Sequence, residues 1–141
     1  DLVFSSNVLE HIKDDLGALK TIRNKLSDDG VLYLYLPAHI ILKSRLDEVV
    51  GHYRRYNKKD ISSKLKSSGF DIIKIHYADS LGFFVSLLVK IFGYNPSKGL
   101  GSPTSLRIYD KYILPMSKFI DRMGAKHFIG KNIVISAKVS R

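Results

Sequence analysis

The 141-residue chain contains no cysteine, which excludes a disulfide framework and a thiolate metal site. Its most hydrophobic stretch, 81–92, is shorter than the roughly 20 residues that a membrane-spanning helix needs. The five histidines, at 11, 39, 52, 76 and 127, show no i, i+4 pair and no carboxylate companions at ligand spacing, so no metal site is expected. Gly99-Leu-Gly101 follows no strand and opens no helix, which removes the one candidate for a Gly-rich phosphate cradle. No serine nucleophile elbow, internal repeat or low-complexity tract occurs. The chain opens on Asp1, with neither an initiator Met nor a basic leader segment. The expectation is a fragment of a longer protein, without a secretory signal and located in the cytoplasm.

Acidic residues are also scarce. There are 13 of them against 23 Lys and Arg, a formal net charge of +10, which favours anionic partners: a phosphorylated metabolite, an anionic membrane surface or nucleic acid. What remains is ordinary for a globular chain. Hydrophobic residues make up 45%, enough for a single domain with a real core.

The organising stretch is residues 1–37. Two apolar runs, at 1–4 and 31–36, flank a segment in which Leu16, Leu19, Ile22 and Leu26 recur at helical spacing. That is a β-α-β crossover, and it makes two parallel strands. Asp14 and Asp15 sit where a helix start favours acids. Residues 40–50 read as a short helix over the sheet and 51–56 as a loop. Asn57 caps a helix that stops at Gly69. Residues 70–77 read as a half-exposed strand, and 81–92 as a buried or interfacial helix. Residues 94–105, with Pro96 and Pro103, read as a loop. The helical pattern at 106–124 should kink or split at Pro115, and 132–139 form a last strand. The sum is an α/β layered domain in which 81–124 is a helical insert or cap.

Ligands of open parallel sheets bind beyond the carboxyl ends of the strands, which directs attention to Ser5-Ser-Asn-Val-Leu-Glu-His11. Ser6 and Asn7 can hydrogen-bond a polar ligand there. His11 can act as a base or contact a substrate. A second constellation is Gly51-His-Tyr-Arg-Arg-Tyr56. It opens the segment 52–66, which carries six Lys or Arg and one Asp. Its guanidinium groups suit carboxylate or phosphate, and its tyrosines can stack on a base or sugar. Equally, one Arg can pair with Asp47 or Glu48 and brace the loop.

The tract Asp1-Leu-Val-Phe-Ser-Ser-Asn-Val-Leu-Glu-His-Ile-Lys-Asp-Asp-Leu-Gly-Ala-Leu19 resembles the fourth strand and following helix of class I S-adenosylmethionine-dependent methyltransferases. Leu26-Ser-Asp-Asp-Gly-Val-Leu-Tyr-Leu-Tyr-Leu-Pro37 resembles their fifth strand. The loop 51–56, the helix before Ser68-Gly-Phe70 and the closing Gly130-Lys-Asn-Ile133 are similar to the small-molecule branch. The resemblance implies a partial doubly wound, Rossmann-like sheet made of strands four to seven, the last antiparallel and slotted between the fifth and sixth. Residues 1–141 would then be one domain, the C-terminal half of the fold, lacking the Gly-rich first motif and the acidic end of the second strand. It implies S-adenosylmethionine as cofactor, with Ser6, Asn7 and His11 lining its pocket. His52, Tyr53, Arg54, Arg55 and Tyr56 would lie on the side of a small-molecule or lipid-linked acceptor. His11 or His52 would serve as base if the acceptor needs one. A non-enzymatic module that binds nucleic acid or a protein partner is the competing reading, weakened by lysines spread along the whole chain.

Overall fold

A computed structural model describes residues 1–93 and 102–140. Strands β1 (Leu2–Ser6), β2 (Val31–Pro37), β3 (Phe70–Ala78) and β4 (Asn132–Val139) form one sheet in the order β1-β2-β4-β3. β1 and β2 are parallel, and β4 is antiparallel to both β2 and β3. β1, β2 and β3 therefore all point the same way. Their carboxyl ends meet the start of β4 along one edge, where both Pro37 and Ala78 pair with Asn132.

Strand periodicity explains the core. Leu32, Leu34 and Leu36 of β2 are fully buried, whereas Tyr33 and Tyr35 between them point to the other face. Helices α1 (Asp15–Lys25) and α3 (Lys58–Ser67) cover the leucine face, Leu19 from the first and Ile61 and Leu65 from the second joining Ile133 and Ile135 of β4. The helix starts are fixed as their sequences dictate. Asp14 accepts the Gly17 N–H at 2.9 Å, and Asn57 accepts the Asp60 N–H at 2.8 Å.

Three expectations are corrected. The first strand is parallel but not buried: β1 is a sheet edge, with Leu2 65% and Phe4 62% exposed on the face opposite the helices. Phe4 there stacks on Tyr33 with ring centroids 5.6 Å apart. In β3 the alternation breaks, because a register shift between Ile72 and Lys74 turns Ile73 out to solvent. The loop expected at 94–105 is shorter than its composition suggests. Helix α5 (Pro103–Ile108) starts at Pro103, where a missing N–H costs nothing, and the Ser102 hydroxyl accepts the Ser105 N–H at 3.1 Å. Residues 94–101, including Gly99 and Gly101, lie outside the described residues.

The insert consists of α4 (Ser80–Phe92), α5 and α6 (Leu114–Arg122). The helical stretch divides just ahead of Pro115. The turn Tyr109–Ile113 widens to a π-helical pitch, and the Leu114 N–H reaches back to the Tyr109 carbonyl. Pro115 then falls in the first turn of α6, where its missing N–H costs little. A short helix α2 (Arg45–Val49) follows a 3-10 turn at Ile40–Leu42, over the strand ends.

Two residues lock this frame. A Cβ on Gly130 would stand 2.5 Å from the Ala78 carbonyl oxygen. That neighbour is backbone and cannot swing away, so Gly130→Ala should cost about 1–3 kcal/mol in chemical denaturation. Asp15 is buried at the start of α1, where it accepts the Tyr56 hydroxyl at 3.0 Å and pairs with Lys64 and Arg54, each at 2.6 Å. Burial alone would raise its pKa, but the hydrogen bonds from Lys64, Arg54 and Tyr56 outweigh it and hold the carboxyl below the usual range. A lowered native value stabilises the fold above the unfolded-state pKa near 3.9, and that contribution is lost as pH falls through the native one. Asp15→Asn should therefore destabilise the protein by about 1–3 kcal/mol at pH 7. The gap to wild type should close progressively in denaturation below about pH 4.

Candidate active site

Each parallel strand ends in the same unusual way. Asn7 after β1, His39 after β2 and Asp79 at the end of β3 have φ of +50°, +58° and +62°. These three residue types tolerate the left-handed region best after glycine, and such backbone gathers at functional sites. Each bend has a local anchor. The Asn7 N–H donates to the Tyr35 carbonyl at 2.9 Å, and that of His39 to the Tyr56 carbonyl at 2.8 Å. The Asp79 N–H donates to Asp121 of α6 at 2.8 Å. Asp79 in turn caps α4 through the Gly82 N–H at 3.0 Å and accepts the Tyr109 hydroxyl.

Above these bends lies a cleft of about 490 Å³. Asn7 and Tyr35 form its floor, Asp47, His52 and Arg55 one wall, and Asp79, Tyr109 and Lys131 the other. An adjoining cavity of about 290 Å³ is mainly apolar, bounded by Leu42, Leu46, Val85, Val89 and Leu106. The two share Arg55, Tyr109 and Lys131. Burial raises the Tyr35 hydroxyl to about 12, helped by the Asp79 charge. Burial also lowers the pKa of Lys131, whose ammonium lies 5.4 Å from the Tyr109 ring centroid.

The loop 51–56 is held by two buried carboxylates. Asp47, 1% exposed, accepts from Arg55 Nε and His52 Nδ1, each at 2.8 Å, and from the Ser44 N–H at 2.9 Å. Burial would raise its pKa, yet these three bonds together lower it. Asp47 is thus an ionised acceptor that turns Nδ1 of His52 towards itself and leaves Nε2 facing inward. Nε2 stands 3.7 Å from Glu10 Oε1. Arg54 binds Asp15 and, at 2.6 Å, the Lys13 carbonyl.

The residues singled out from the sequence therefore separate. Asn7, His52 and Arg55 line the cleft, and Ser6 precedes Asn7 as the last residue of β1. Arg54 and Tyr56 face Asp15 instead, Tyr56 fully buried in the core. Tyr53 is exposed, and its N–H donates to the Glu10 carbonyl at 2.9 Å. That bond sets His11 against His52, edge to face with ring centroids 4.6 Å apart. Asp47 was expected only as a possible brace for an Arg of the loop, which it is for Arg55, and Tyr109 and Lys131 were not singled out. They converge from α2, the widened turn of the insert and the start of β4, and no local spacing announces that meeting.

Comparison with known proteins gives similarity at the level of fold. No family model matches the chain, and no curated protein matches it in sequence. Among solved structures it is similar to phosphoethanolamine N-methyltransferase 2 of Haemonchus contortus in complex with S-adenosylmethionine (TM-score 0.52, 22% identity, 99% of this chain and 33% of that one). It is also similar to an S-adenosylmethionine-dependent methyltransferase of Mesorhizobium loti (TM-score 0.55, 15% identity, 98% and 61%). The [4+2]-cyclase SpnF shares the fold as well (TM-score 0.56, 14% identity, 99% and 49%). The chain thus spans between a third and three fifths of the lengths of these structures. It has the mixed α/β, Rossmann-like fold of the S-adenosylmethionine-dependent methyltransferases.

Proposed function

We propose that the chain is the acceptor-side half of an S-adenosylmethionine-dependent methyltransferase whose acceptor is an anionic amphiphile, a lipid-linked molecule included. The observation that carries this reading is the cleft at the strand ends, polar where Asn7 and His52 stand and continuous through Arg55 and Lys131 with an apolar cavity. Its volume is that of a small-molecule site. In this reading β1, β2, β3 and β4 are the fourth, fifth, sixth and seventh strands of the family sheet. The open edge of β1 and the exposed Leu2 and Phe4 support it, because a parallel sheet is normally covered on both faces.

Ser6, Asn7 and His11 would line the cofactor, with the Asn7 amide able to donate and accept at once. When bound, the cofactor would supply an electrophilic sulfonium methyl for transfer to the acceptor. The protein's share is positioning and exclusion of water. Lys131 would hold the anionic group of the acceptor, and Val85, Val89 and Leu106 its apolar tail. His52 Nε2, with Nδ1 held by Asp47, is the group placed to take a hydroxyl acceptor's proton. The competing nucleic-acid reading loses support here, since Arg54 and Arg55 both already hold buried carboxylates. No helix among the described residues is long and apolar enough to cross a membrane. The apolar insert would meet a lipid acceptor from the surface.

The test is transfer of labelled methyl by the natural gene product to anionic acceptors of increasing alkyl length. Longer chains should be preferred. Asn7→Ala should raise the KM for S-adenosylmethionine by about tenfold, roughly one hydrogen bond, and leave that for the acceptor nearly unchanged. Lys131→Ala should do the reverse. Transfer that is absent for every acceptor, or equal for charged and neutral ones, would contradict this reading.

A further inference from the structure

Glu10 is an anomaly. It is 0% exposed, yet neither carboxylate oxygen accepts a hydrogen bond among the described residues. Leaving a carboxylate dry and unpaired is among the most unfavourable arrangements a fold can hold. Burial accordingly raises its pKa, although its own backbone N–H and then the nearby His52, His11 and Arg55 charges pull the other way. The group facing it is His52, whose Nε2 stands 3.7 Å from Glu10 Oε1, beyond hydrogen-bond distance. His11 completes the set: one donor atom from each of Glu10, His11 and His52 lies within 4.8 Å of the other two.

We infer that Glu10, His11 and His52 bind a divalent transition-metal ion, such as Zn²⁺ or Co²⁺. One carboxylate and two imidazoles are a ligand set that zinc accepts, with a further position left open. The outer shell is already built. Asp47 holds His52 Nδ1–H at 2.8 Å, the carboxylate–histidine arrangement that fixes a metal-binding imidazole in the correct tautomer. Gly51, at φ +79°, turns the chain so that His52 can reach the Glu10-His11 pair, and a Cβ there would already touch His11 Nδ1 at 3.7 Å. His11 is exposed, so the ion has a path in. Ligand spacing in the sequence does not announce this group, because the third residue arrives from 41 residues away through the loop that Asp15 and Asp47 clamp. A cation there would take Nε2 out of use as a base and acidify an acceptor hydroxyl in its place. The binding itself does not depend on methyl transfer.

The test uses chelator-treated protein, titrated with Zn²⁺ by calorimetry and with Co²⁺ by visible absorption, in the absence of any cofactor. About one ion per chain should bind, with Co²⁺ showing d–d bands. Zn²⁺ should shift the ring nitrogens of His11 and His52 in NMR and leave those of His39, His76 and His127 in place. The isosteric Glu10→Gln should weaken binding by at least about 100-fold, and Asp47→Asn, which touches none of the ion's ligand atoms except through the His52 ring, by about 10–100-fold. Mg²⁺, which prefers oxygen ligands, should not compete. No binding of either ion, or binding indifferent to Glu10→Gln, would overturn the inference. An imidazolium at His52 that persists at neutral pH whether or not Zn²⁺ is present would overturn it too. Methyl transfer that survives such a result would show the enzyme reading to stand without the metal.

Discussion

Two carboxylates buried against the strand ends decide where the loop 51–56 lies, and the functional geometry depends on that placement. Asp15 takes Arg54, Lys64 and the Tyr56 hydroxyl, and Asp47 takes Arg55 and His52. The two guanidinium groups of the loop, Arg54 and Arg55, are thereby paired within the fold. Removing either anion would leave buried cations unpaired, which is why such pairs hold a loop in place even where they add little net stability. With the loop fixed, the Tyr53 N–H bonds the Glu10 carbonyl and His52 comes to face Glu10 and His11.

The strand ends form the second half of the arrangement. Three successive departures into positive φ, at Asn7, His39 and Asp79, turn the chain away from the sheet and leave an open floor. The insert reaches over that floor because Asp121 binds the Asp79 and Ser80 N–H groups and Tyr109 binds Asp79. Fold alone decides nothing about chemistry, as a cyclase and methyltransferases sharing this architecture illustrate. The proposal of methyl transfer to an anionic amphiphile rests on the residues set around the floor.

Much of the fold was legible in the sequence, since hydrophobic periodicity and caps are local signals. The runs at 31–36 and 132–139, the helix cap at Asn57 and the helical insert are all read from neighbours a few residues apart. What stayed hidden depends on distance. Asp15 looked like an acid placed for the helix dipole but is a buried hub whose partners lie 39 and 49 residues on. Pro115 marked a break, but that the break takes the form of a π turn ahead of it is an adjustment that composition does not encode. In the site, Asn7 and His52 were identifiable from chemistry and topology. Lys131 was not, because it is an ordinary lysine until the start of β4 brings it beside Tyr109.

The central claim is that the floor at the strand ends is a cofactor surface, and a backbone NMR titration with S-adenosylhomocysteine tests it most directly. This method detects even weak, partial sites. The account predicts shifts concentrated at Ser6, Asn7, Tyr35 and His11, with the outer part of α4 and the far end of the sheet unaffected. Shifts confined to the insert, or none at millimolar ligand, would contradict it.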